Sequence, residues 1–241
     1  MAVRRRLTRT LTALAAAALL ATGAAACGSG GSSGGSDVSA ELTVKTSPVA
    51  RTLAELPAEA VGGKIVVGQE QAPHTVRVFI DPRCPFCAKF ETGGGEALAE
   101  PVAQGKVKVE YVLASFLDQG LGGRGSQRAV NALRASVDAG KFAEYHAAVY
   151  ASQPEESVDG YTTENLLKIA DKVPGLRGPA FDKAVKDETY KSWVGEAMQA
   201  FQDSGQQGTP VVLVDGKQPG NARAMFDKDA FAKVLKDAGA A

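Results

Sequence analysis

The sequence is poor in cysteine, histidine and tryptophan: it has three cysteines, two histidines and one tryptophan among 241 residues. Three cysteines are too few for the disulfide frameworks that hold small secreted domains together. Two histidines add little to them, since a structural zinc site needs about four ligands. What the cysteines do must therefore be inferred from where each one lies.

The chain also lacks an excess of charge of one sign and a basic stripe with interleaved aromatic residues. Twenty-seven Lys and Arg balance 27 Asp and Glu. Nucleic acid is not an expected partner, because phosphate backbones are bound mainly by clustered basic side chains. Long apolar runs are missing too, and the apolar core of the N-terminal segment, Leu11–Ala21, is well short of the ~20 residues of a membrane-spanning helix.

Residues 1–26 have the order of a bacterial lipoprotein-type signal peptide. Arginines precede the short apolar core, and small residues then lead to Cys27. In such signals the thiol of this cysteine is lipidated and the residue becomes the mature N-terminus. Ala24 departs from the pattern, which usually has a larger aliphatic residue there. An ordinary secretory signal with an incidental Cys27 is the alternative, and a twin-arginine export route is less favoured.

The composition after Cys27 predicts a tether followed by one domain. Residues 28–36 are only Gly and Ser, which behave as a flexible coil. We interpret residues 27–60 as a lipid-anchored tether and linker, and residues 61–241 as one domain with a substantial core. The predicted location is the outer face of the bacterial cell membrane, or the medium if the chain is secreted without a lipid.

The alternation of apolar residues predicts an α/β fold. Residues 64–67 are a candidate edge strand, residues 75–80 a central strand and residues 106–113 the next strand. A block of helices is expected over about residues 120–204. Strand 211–214 then leads through Asp215-Gly216, a strong hairpin signal, to a second short strand near residues 217–218. A C-terminal helix is expected over residues 227–238.

Cys84-Pro85-Phe86-Cys87 lies where the central strand ends and a helix begins. Helix N-termini present unpaired N–H groups and a positive dipole, which lower the pKa of a cysteine placed there. Cys87 lies one turn further on, close enough to form a disulfide with Cys84. Pro85 fits the first helical position, which has no N–H partner to lose. The helix is expected to run to about Glu100, just before Pro101, with a break at Gly93-Gly94-Gly95.

Two other interpretations of the cysteine pair stay open at this point. The pair could bind zinc, with His74 and His146 as the remaining candidate ligands, although such histidines are more often surface or satisfied helical residues. It could also be an inert structural pair. No metal and no cofactor is expected.

Three stretches of the chain resemble the DsbA-like branch of the thioredoxin superfamily. The first is the strand and turn of residues 76–87, which ends in Cys84-Pro85-Phe86-Cys87. The second is Phe181-Asp182-Lys183-Ala184 with the following Tyr190, and the third is Gly208-Thr209-Pro210 before the late strand. The resemblance implies a thioredoxin-like fold, a central mixed sheet flanked by helices, with a helical insertion before the strand that follows Pro210.

The resemblance also implies roles for particular residues. Cys84 and Cys87 would be the catalytic, redox-active pair, and Pro85 and Phe86 the active-site turn. The Thr209–Pro210 bond would be cis, with its backbone pairing to an extended substrate segment.

Two positions depart from the family pattern. Val78 stands where many relatives have a buried acid, so Asp81 is the remaining carboxyl near the turn. Phe86 stands where the strongest oxidants have histidine, and it cannot donate a hydrogen bond to the Cys84 thiolate.

The predicted function is an exported thiol–disulfide oxidoreductase that forms or exchanges disulfides in secreted proteins. Its expected partners are unfolded or partly folded secreted proteins with thiols, the membrane through the lipid anchor, and a membrane redox partner, which the family suggests is a quinone-linked oxidase. The alternatives are an extracytoplasmic reductase or isomerase, and a binding or chaperone module without redox turnover.

Overall fold

The computed structural model describes residues 43–45 and 56–241. The predicted signal peptide, Cys27 and most of the predicted tether therefore lie outside the described residues. Within them, the strands form one mixed sheet in the order β1-β2-β4-β3-β5. Strands β3 and β4 are parallel, and all other neighbours are antiparallel. The strands are β1 Ala58–Val61, β2 Lys64–Val67, β3 His74–Ile80, β4 Val107–Leu113 and β5 Val211–Val214.

Both faces of the sheet are covered. Successive side chains of β3 point to opposite faces, and apolar residues lie on both. Val76, Val78 and Ile80 are fully buried in the main core. Phe79 points to the opposite face, where it packs in a smaller cluster with Phe201. Because successive side chains of a strand point to opposite faces, a strand buried on both sides is apolar at nearly every position.

The helices are short and most of them precede β5. Two 3₁₀ turns, Gly94–Leu98 and Ala222–Phe226, supplement them. The helices are α1 Pro85–Glu91, α2 Ala99–Ala103, α3 Leu117–Leu121, α4 Gly125–Asp138, α5 Phe142–Ala151, α6 Thr163–Ala170, α7 Pro179–Lys186, α8 Lys191–Asp203 and α9 Lys228–Asp237. The segment from α3 to α8 is the helical insertion expected over about residues 120–204, and it starts a few residues earlier than predicted.

The expected break at Gly93-Gly94-Gly95 is confirmed, and its cause is a close backbone approach. A Cβ on Gly94 would lie 2.2 Å from the Met225 carbonyl oxygen, and one on Gly93 would lie 2.5 Å from that of Phe226. Only glycine permits such an approach of two backbones. The helical path resumes with α2, which includes Pro101, although the predicted helix ends before it. Pro101 lies in the first turn of this short helix, where proline is tolerated.

Residues 64–67 form a strand but not the predicted edge strand. β2 lies between β4 and β1, and β1 takes the edge position. β1 begins at Ala58, three residues before the predicted start of the domain. Gly62 and Gly63 join β1 to β2 with φ values of 53° and 73°. A Gly-Gly pair at two consecutive positive φ values is typical of a two-residue hairpin turn.

The predicted second strand near residues 217–218 is absent from the described chain. The turn at Asp215-Gly216 forms with positive φ at both residues. After it, however, only an isolated bridge links Val214 to Lys217. Pro219 comes directly after the two predicted strand residues, and proline has no N–H group with which to extend the pairing of the strands.

A short segment before the domain contacts its core. Val44 packs against the main core, and the Lys45 N–H donates to Ser152 Oγ over 2.8 Å. Ser152 is buried at the C-terminal end of α5. Part of the predicted linker therefore rests on the helical insertion.

Candidate active site

Cys84 occupies the N-cap position of α1, directly after the turn that ends β3. The Cys84 N–H donates to the Asp81 carbonyl oxygen over 3.0 Å, and the Cys87 N–H donates to the Cys84 carbonyl oxygen over 3.0 Å. Pro85 takes the first helical position. The strand-to-helix placement predicted for the two cysteines is thus present, and both are free thiols.

The two thiols have opposite acidities. The hydrogen bond from the Cys87 thiol, helped by Thr209 and then by the N–H groups of Cys87 and Phe86, lowers the pKa of Cys84 to about 6 although burial opposes it. Burial raises the pKa of the Cys87 thiol well above its usual range, and the negative charge of Cys84 raises it further. The main cause at Cys84 is therefore the neighbouring thiol, with the N–H groups of the helix N-terminus as a smaller contribution. The arrangement keeps one thiolate and one protonated thiol side by side.

Thr209 and Pro210 lie beside Cys84, although 125 residues separate Thr209 from it along the chain. The Thr209–Pro210 bond is cis, as predicted. The Cys84 thiol donates to the Thr209 carbonyl oxygen over 3.4 Å. The antiparallel pairing of β5 with β3 brings these residues together, because it sets Val211 opposite Phe79 near the end of β3.

The surface next to Cys84 is aromatic. Phe86 is 59% exposed, whereas Cys84 is 6% exposed and Cys87 is fully buried. The Phe86 ring lies 6.1 Å from the ring of Phe226, centroid to centroid, and Lys89 Nζ lies 5.3 Å from the Phe226 centroid. An exposed phenylalanine beside a reactive thiol offers apolar contact to an unfolded chain.

Asp81 is buried beneath the turn and accepts three hydrogen bonds. Its Oδ1 accepts from the Arg83 N–H over 3.0 Å and from Ser126 Oγ over 2.6 Å, and its Oδ2 accepts from the Leu117 N–H over 3.2 Å. Burial raises the pKa of this carboxyl to about 6, with the hydrogen bonds acting against the rise. Asp81 thus connects the active-site turn to α3 and α4.

Arg83 forms a second buried connection between the turn and the helical insertion. Its Nη1 donates to Asp118 Oδ1 over 2.9 Å and to the Gly122 carbonyl oxygen over 2.6 Å, and its Nη2 donates to the Glu156 carbonyl oxygen over 3.0 Å. Asp118 also accepts from the N–H groups of Ser126 and Gln127 at the start of α4. The Arg83 and Asp118 side chains are only 1% and 2% exposed. Burying two charges costs free energy, and the additional hydrogen bonds offset part of that cost.

Gln153 supports the backbone of Cys84 itself. Its Nε2 donates to the Pro82 carbonyl oxygen over 2.7 Å and to the Cys84 carbonyl oxygen over 2.9 Å. Gln153 follows α5, so the helical insertion supplies this contact. Sequence reasoning did not identify Gln153, Arg83 or Phe226 as parts of the site. Arg83 stands next to the cysteine motif, but Gln153 and Phe226 carry no local signal, since only folding brings them near Cys84.

The two histidines considered as zinc ligands each lie next to a carboxylate. His74 Nδ1 lies 2.8 Å from Asp215 Oδ2 at the far end of β3. His146 is buried and its Nε2 lies 3.2 Å from Glu91 Oε2. Within residues 43–45 and 56–241, no group of three or more His, Cys, Asp or Glu side chains is placed to hold a metal ion.

Three features meet at this site: an acidic thiol at a helix N-terminus, a fully buried second thiol one turn later, and the carbonyl of the residue before a cis-proline beside the first thiol. Together they define a class of protein, the thiol–disulfide oxidoreductases built on the thioredoxin fold. Comparisons with known proteins agree with this class. Residues 60–237 match the family described as Thioredoxin.

Two curated relatives illustrate the similarity. The chain is 26% identical over 182 residues to "Disulfide bond formation protein D" of Bacillus subtilis, which covers 73% of this chain and 79% of that protein. It is 31% identical over 160 residues to "Serine/threonine-protein kinase PknE" of Mycobacterium tuberculosis. That match covers 61% of this chain but only 28% of the kinase.

Solved structures share the fold. Oxidised BdbD from Bacillus subtilis superimposes with a TM-score of 0.60 at 24% identity, covering 76% of this chain and 96% of that one. MdbA from Corynebacterium matruchotii, a thiol-disulfide oxidoreductase, gives a TM-score of 0.60 at 21% identity and covers 72% and 92%. The chain therefore belongs to the thioredoxin family.

Proposed function

We propose that this protein is an exported thiol–disulfide oxidoreductase that forms or exchanges disulfides in secreted proteins through Cys84 and Cys87. The observation that carries the proposal is the difference in acidity between the two thiols: the pKa of Cys84 is lowered and that of Cys87 is raised. A thiol with a pKa of about 6 is mostly thiolate at neutral pH, and thiolate is both the attacking and the better leaving form.

The oxidative reaction follows from this difference. With Cys84 and Cys87 joined as a disulfide, a substrate thiolate attacks Cys84 Sγ, a mixed disulfide forms, and Cys87 leaves. A second substrate thiolate then attacks the substrate sulfur of the mixed disulfide and displaces Cys84 as thiolate. Two electrons pass from the substrate to the protein, and the substrate leaves with a new disulfide. Turnover requires an electron acceptor for the reduced pair, and a membrane oxidase linked to quinone is the proposed partner.

Thr209 and Pro210 are the proposed binding site for the substrate backbone. When Cys84 is protonated its thiol donates to the Thr209 carbonyl oxygen over 3.4 Å, so this backbone lies directly beside the reactive sulfur. An extended substrate segment laid across this position would bring its own sulfur next to Cys84. Phe86 would supply apolar contact to the same segment.

A trapping experiment tests the catalytic assignment. A Cys87→Ala variant cannot displace a substrate from Cys84, so it should accumulate mixed disulfides when its Cys84 thiolate attacks the disulfide of an unfolded, oxidised polypeptide. A Cys84→Ala variant is the matched control and should form none. Absence of adducts in Cys87→Ala would favour the alternative of a binding or chaperone module.

The direction of electron flow is tested by the reduction potential of the Cys84–Cys87 pair. A value near about −120 mV would indicate an oxidant, and one near about −270 mV a reductant. The low pKa of Cys84 supports the oxidant, because it stabilises the reduced form of the pair. Equilibration with glutathione buffers of known ratio, followed by mass spectrometry of trapped thiols, measures the potential. A value on the reductant side would support the reductase alternative.

Export and lipidation are part of the proposal. Within the described residues no helix is both long and apolar enough to cross a membrane. Lipidation of Cys27 would hold the domain at the outer face of the membrane, with residues 28–36 as the flexible spacer. A Cys27→Ser variant should then appear in the medium or the soluble fraction, while the parent protein sediments with membranes. Equal fractionation of both would contradict the anchor.

A further inference from the structure

The segment that precedes the domain is bound to one residue of the helical insertion. The Lys45 N–H donates to Ser152 Oγ over 2.8 Å, and Ser152 Oγ donates back to the Lys45 carbonyl oxygen over 3.5 Å. Ser152 is 2% exposed. A buried hydroxyl needs hydrogen-bond partners, and among the described residues the backbone of Lys45 supplies both of them.

Lys45 contributes its backbone to this contact rather than its charge. The residue is exposed and lies outside every helix and strand, whereas its N–H and carbonyl groups both face Ser152. One such hydrogen bond contributes about 1 kcal/mol. The contact can therefore be weakened by removing a single N–H group, without any change inside the domain.

Ser152 fixes the chain at the end of α5. It is the C-cap residue of this helix, and its N–H donates to the Ala148 carbonyl oxygen over 3.0 Å. The next residue, Gln153, is followed by Pro154, and a proline disfavours helical backbone for the residue before it. Because the backbone of Gln153 has limited freedom, the direction of its side chain depends on the position of Ser152.

Gln153 in turn holds the turn that carries Cys84. Its Nε2 donates to the carbonyl oxygens of Pro82 and Cys84 over 2.7 Å and 2.9 Å. The contacts therefore run without a gap from Lys45 to Ser152, on to Gln153 and then to Cys84. Each step is either a hydrogen bond or a peptide bond.

We propose that residues 43–45 position Cys84, because the Lys45 backbone holds Ser152 and the adjoining Gln153 holds the active-site turn. With the segment bound, the turn keeps Cys84 Sγ next to the Cys87 thiol and the N–H groups at the start of α1, which stabilise the thiolate. When the segment leaves, Gln153 is held less firmly and the thiolate is less stable. The same segment continues toward the predicted lipid anchor, so the attachment of the domain and the reactivity of Cys84 are linked.

The test follows the ionisation of Cys84 in the reduced protein. Thiolate absorbance at 240 nm gives the midpoint of the titration, and the rate of alkylation at pH 6 gives the reactivity. Lys45→Pro removes the donor and Ser152→Ala removes the acceptor. Each should raise the midpoint and slow alkylation at pH 6 about twofold, since losing a hydrogen bond of about 1 kcal/mol leaves the segment bound for a smaller part of the time.

Two control variants separate the backbone contact from other effects. Lys45→Ala removes the same charge as Lys45→Pro but keeps the N–H group, so it should titrate like the parent. Ser136→Ala removes a different buried hydroxyl, one that donates to the Leu133 carbonyl oxygen over 2.7 Å within α4, and it should also titrate like the parent. Equal shifts in Lys45→Ala and Lys45→Pro would assign the effect to the ammonium charge and overturn the positioning role.

A double variant decides whether the effect passes through Gln153. In Gln153→Met the hydrogen bonds to the turn are absent, so adding Lys45→Pro should shift the titration no further. A shift of full size in this background would overturn the route. Unchanged titrations in both Lys45→Pro and Ser152→Ala would do so as well. Lys45→Pro lies outside the helices and strands, so its result does not depend on whether Ser152→Ala folds.

The proposed function and this positioning role fail separately, although both use the acidity of Cys84. If the parent titrates near pH 9, the ordinary value of a thiol, the proposed function loses the observation that carries it. If the parent titrates near pH 6 and the variants titrate with it, the proposed function stands and only the positioning role is overturned.

Discussion

Cys84 and Cys87 have the same chemistry in the unfolded chain and different chemistry in the folded one. The difference depends on a few ångströms: Cys84 caps α1 beside the Thr209 carbonyl oxygen, while Cys87 lies inside the core. Individual residues such as Asp81 and Gln153 then hold the turn that carries Cys84.

The titration of Cys84 should reflect this arrangement. In the reduced protein, thiolate absorbance at 240 nm should rise with a midpoint near pH 6. Alkylation of Cys84 should rise over the same range, because only the thiolate reacts, while Cys87 should stay unmodified. A Cys87→Ala variant should shift the midpoint upward, since the thiol that stabilises the Cys84 thiolate is gone. A midpoint near 9 in the parent would contradict the geometry.

Asp81 should make the stability of the protein depend on pH. Its carboxyl ionises near pH 4 when unfolded but only near pH 6 when folded, so the folded state binds more protons between these values. Its contribution to the free energy of unfolding is therefore complete below about pH 4 and is lost as the pH rises to 6. Relative to Asp81→Asn, the parent should lose roughly 3 kcal/mol over this interval in urea unfolding. A constant difference from pH 4 to 7 would be inconsistent with the buried carboxyl.

Gln153 is expected to be a positioning residue for Cys84. Gln153→Met keeps the approximate shape but removes both hydrogen bonds to the turn, and it should cost about 1–2 kcal/mol of stability. It should also raise the pKa of Cys84, because an unsupported turn holds the thiolate less well against the Cys87 thiol and the N–H groups that stabilise it, and the 240 nm titration measures this. Gln199→Met, at an exposed position of α8 where the amide bonds Asp203, is the control and should change neither. If the Cys84 titration is unchanged in Gln153→Met, Gln153 contributes to stability only and does not position Cys84.

At the scale of elements, the helical insertion and the strand-to-helix turn are joined by buried polar contacts. Arg83 connects the turn to α3 through Asp118, and Asp118 in turn accepts from the first N–H groups of α4. The insertion is thus attached at the residue directly before Cys84. This attachment explains why Arg83, a basic residue, is almost fully buried.

Breaking the Arg83–Asp118 pair should be costly. Arg83→Met leaves the Asp118 carboxylate buried without its partner, and the expected loss is about 3–5 kcal/mol in urea unfolding. Lys233→Met, which breaks an exposed pair with Asp237 on α9, should cost under about 0.5 kcal/mol. A loss below about 1 kcal/mol in Arg83→Met would mean that the pair does not hold the insertion to the turn.

At the scale of the whole molecule, the segment before the domain is part of its packing. Val44 contacts the core, and Lys45 binds Ser152, the residue before Gln153. This segment therefore contacts the same corner of the domain that supports Cys84 through Gln153.

The contact between Lys45 and Ser152 should protect the Lys45 amide from hydrogen exchange. In Ser152→Ala the acceptor is removed, and exchange at Lys45 should speed up about fivefold, since one hydrogen bond contributes about 1 kcal/mol. Exchange in β3 should not change, which serves as the internal control. Equal exchange at Lys45 in both proteins would show that the segment does not dock in solution.

Much of this protein could be predicted from its sequence, because the signals were local. The apolar run of residues 75–80 defined β3, the cysteine spacing after it defined the start of α1, and the three consecutive glycines marked a real break. The family resemblance carried by Gly208-Thr209-Pro210 implied the cis bond, and the structure confirms it. Short-range patterns, however, placed β2 at the edge and extended the hairpin beyond Lys217, because strand neighbours depend on the whole sheet.

The sequence by itself predicted which residues would carry the redox chemistry, since Cys84, Cys87 and Pro210 lie in motifs that are recognised from short stretches of the chain. Only the tertiary structure decided their environment. Gln153, Arg83 and Asp118 reach the turn because the insertion folds back over it, and Glu91 meets His146 because α1 packs on α5. The physical reason is that acidity and hydrogen bonding depend on distances of a few ångströms, which are set by packing between residues that are far apart in the chain.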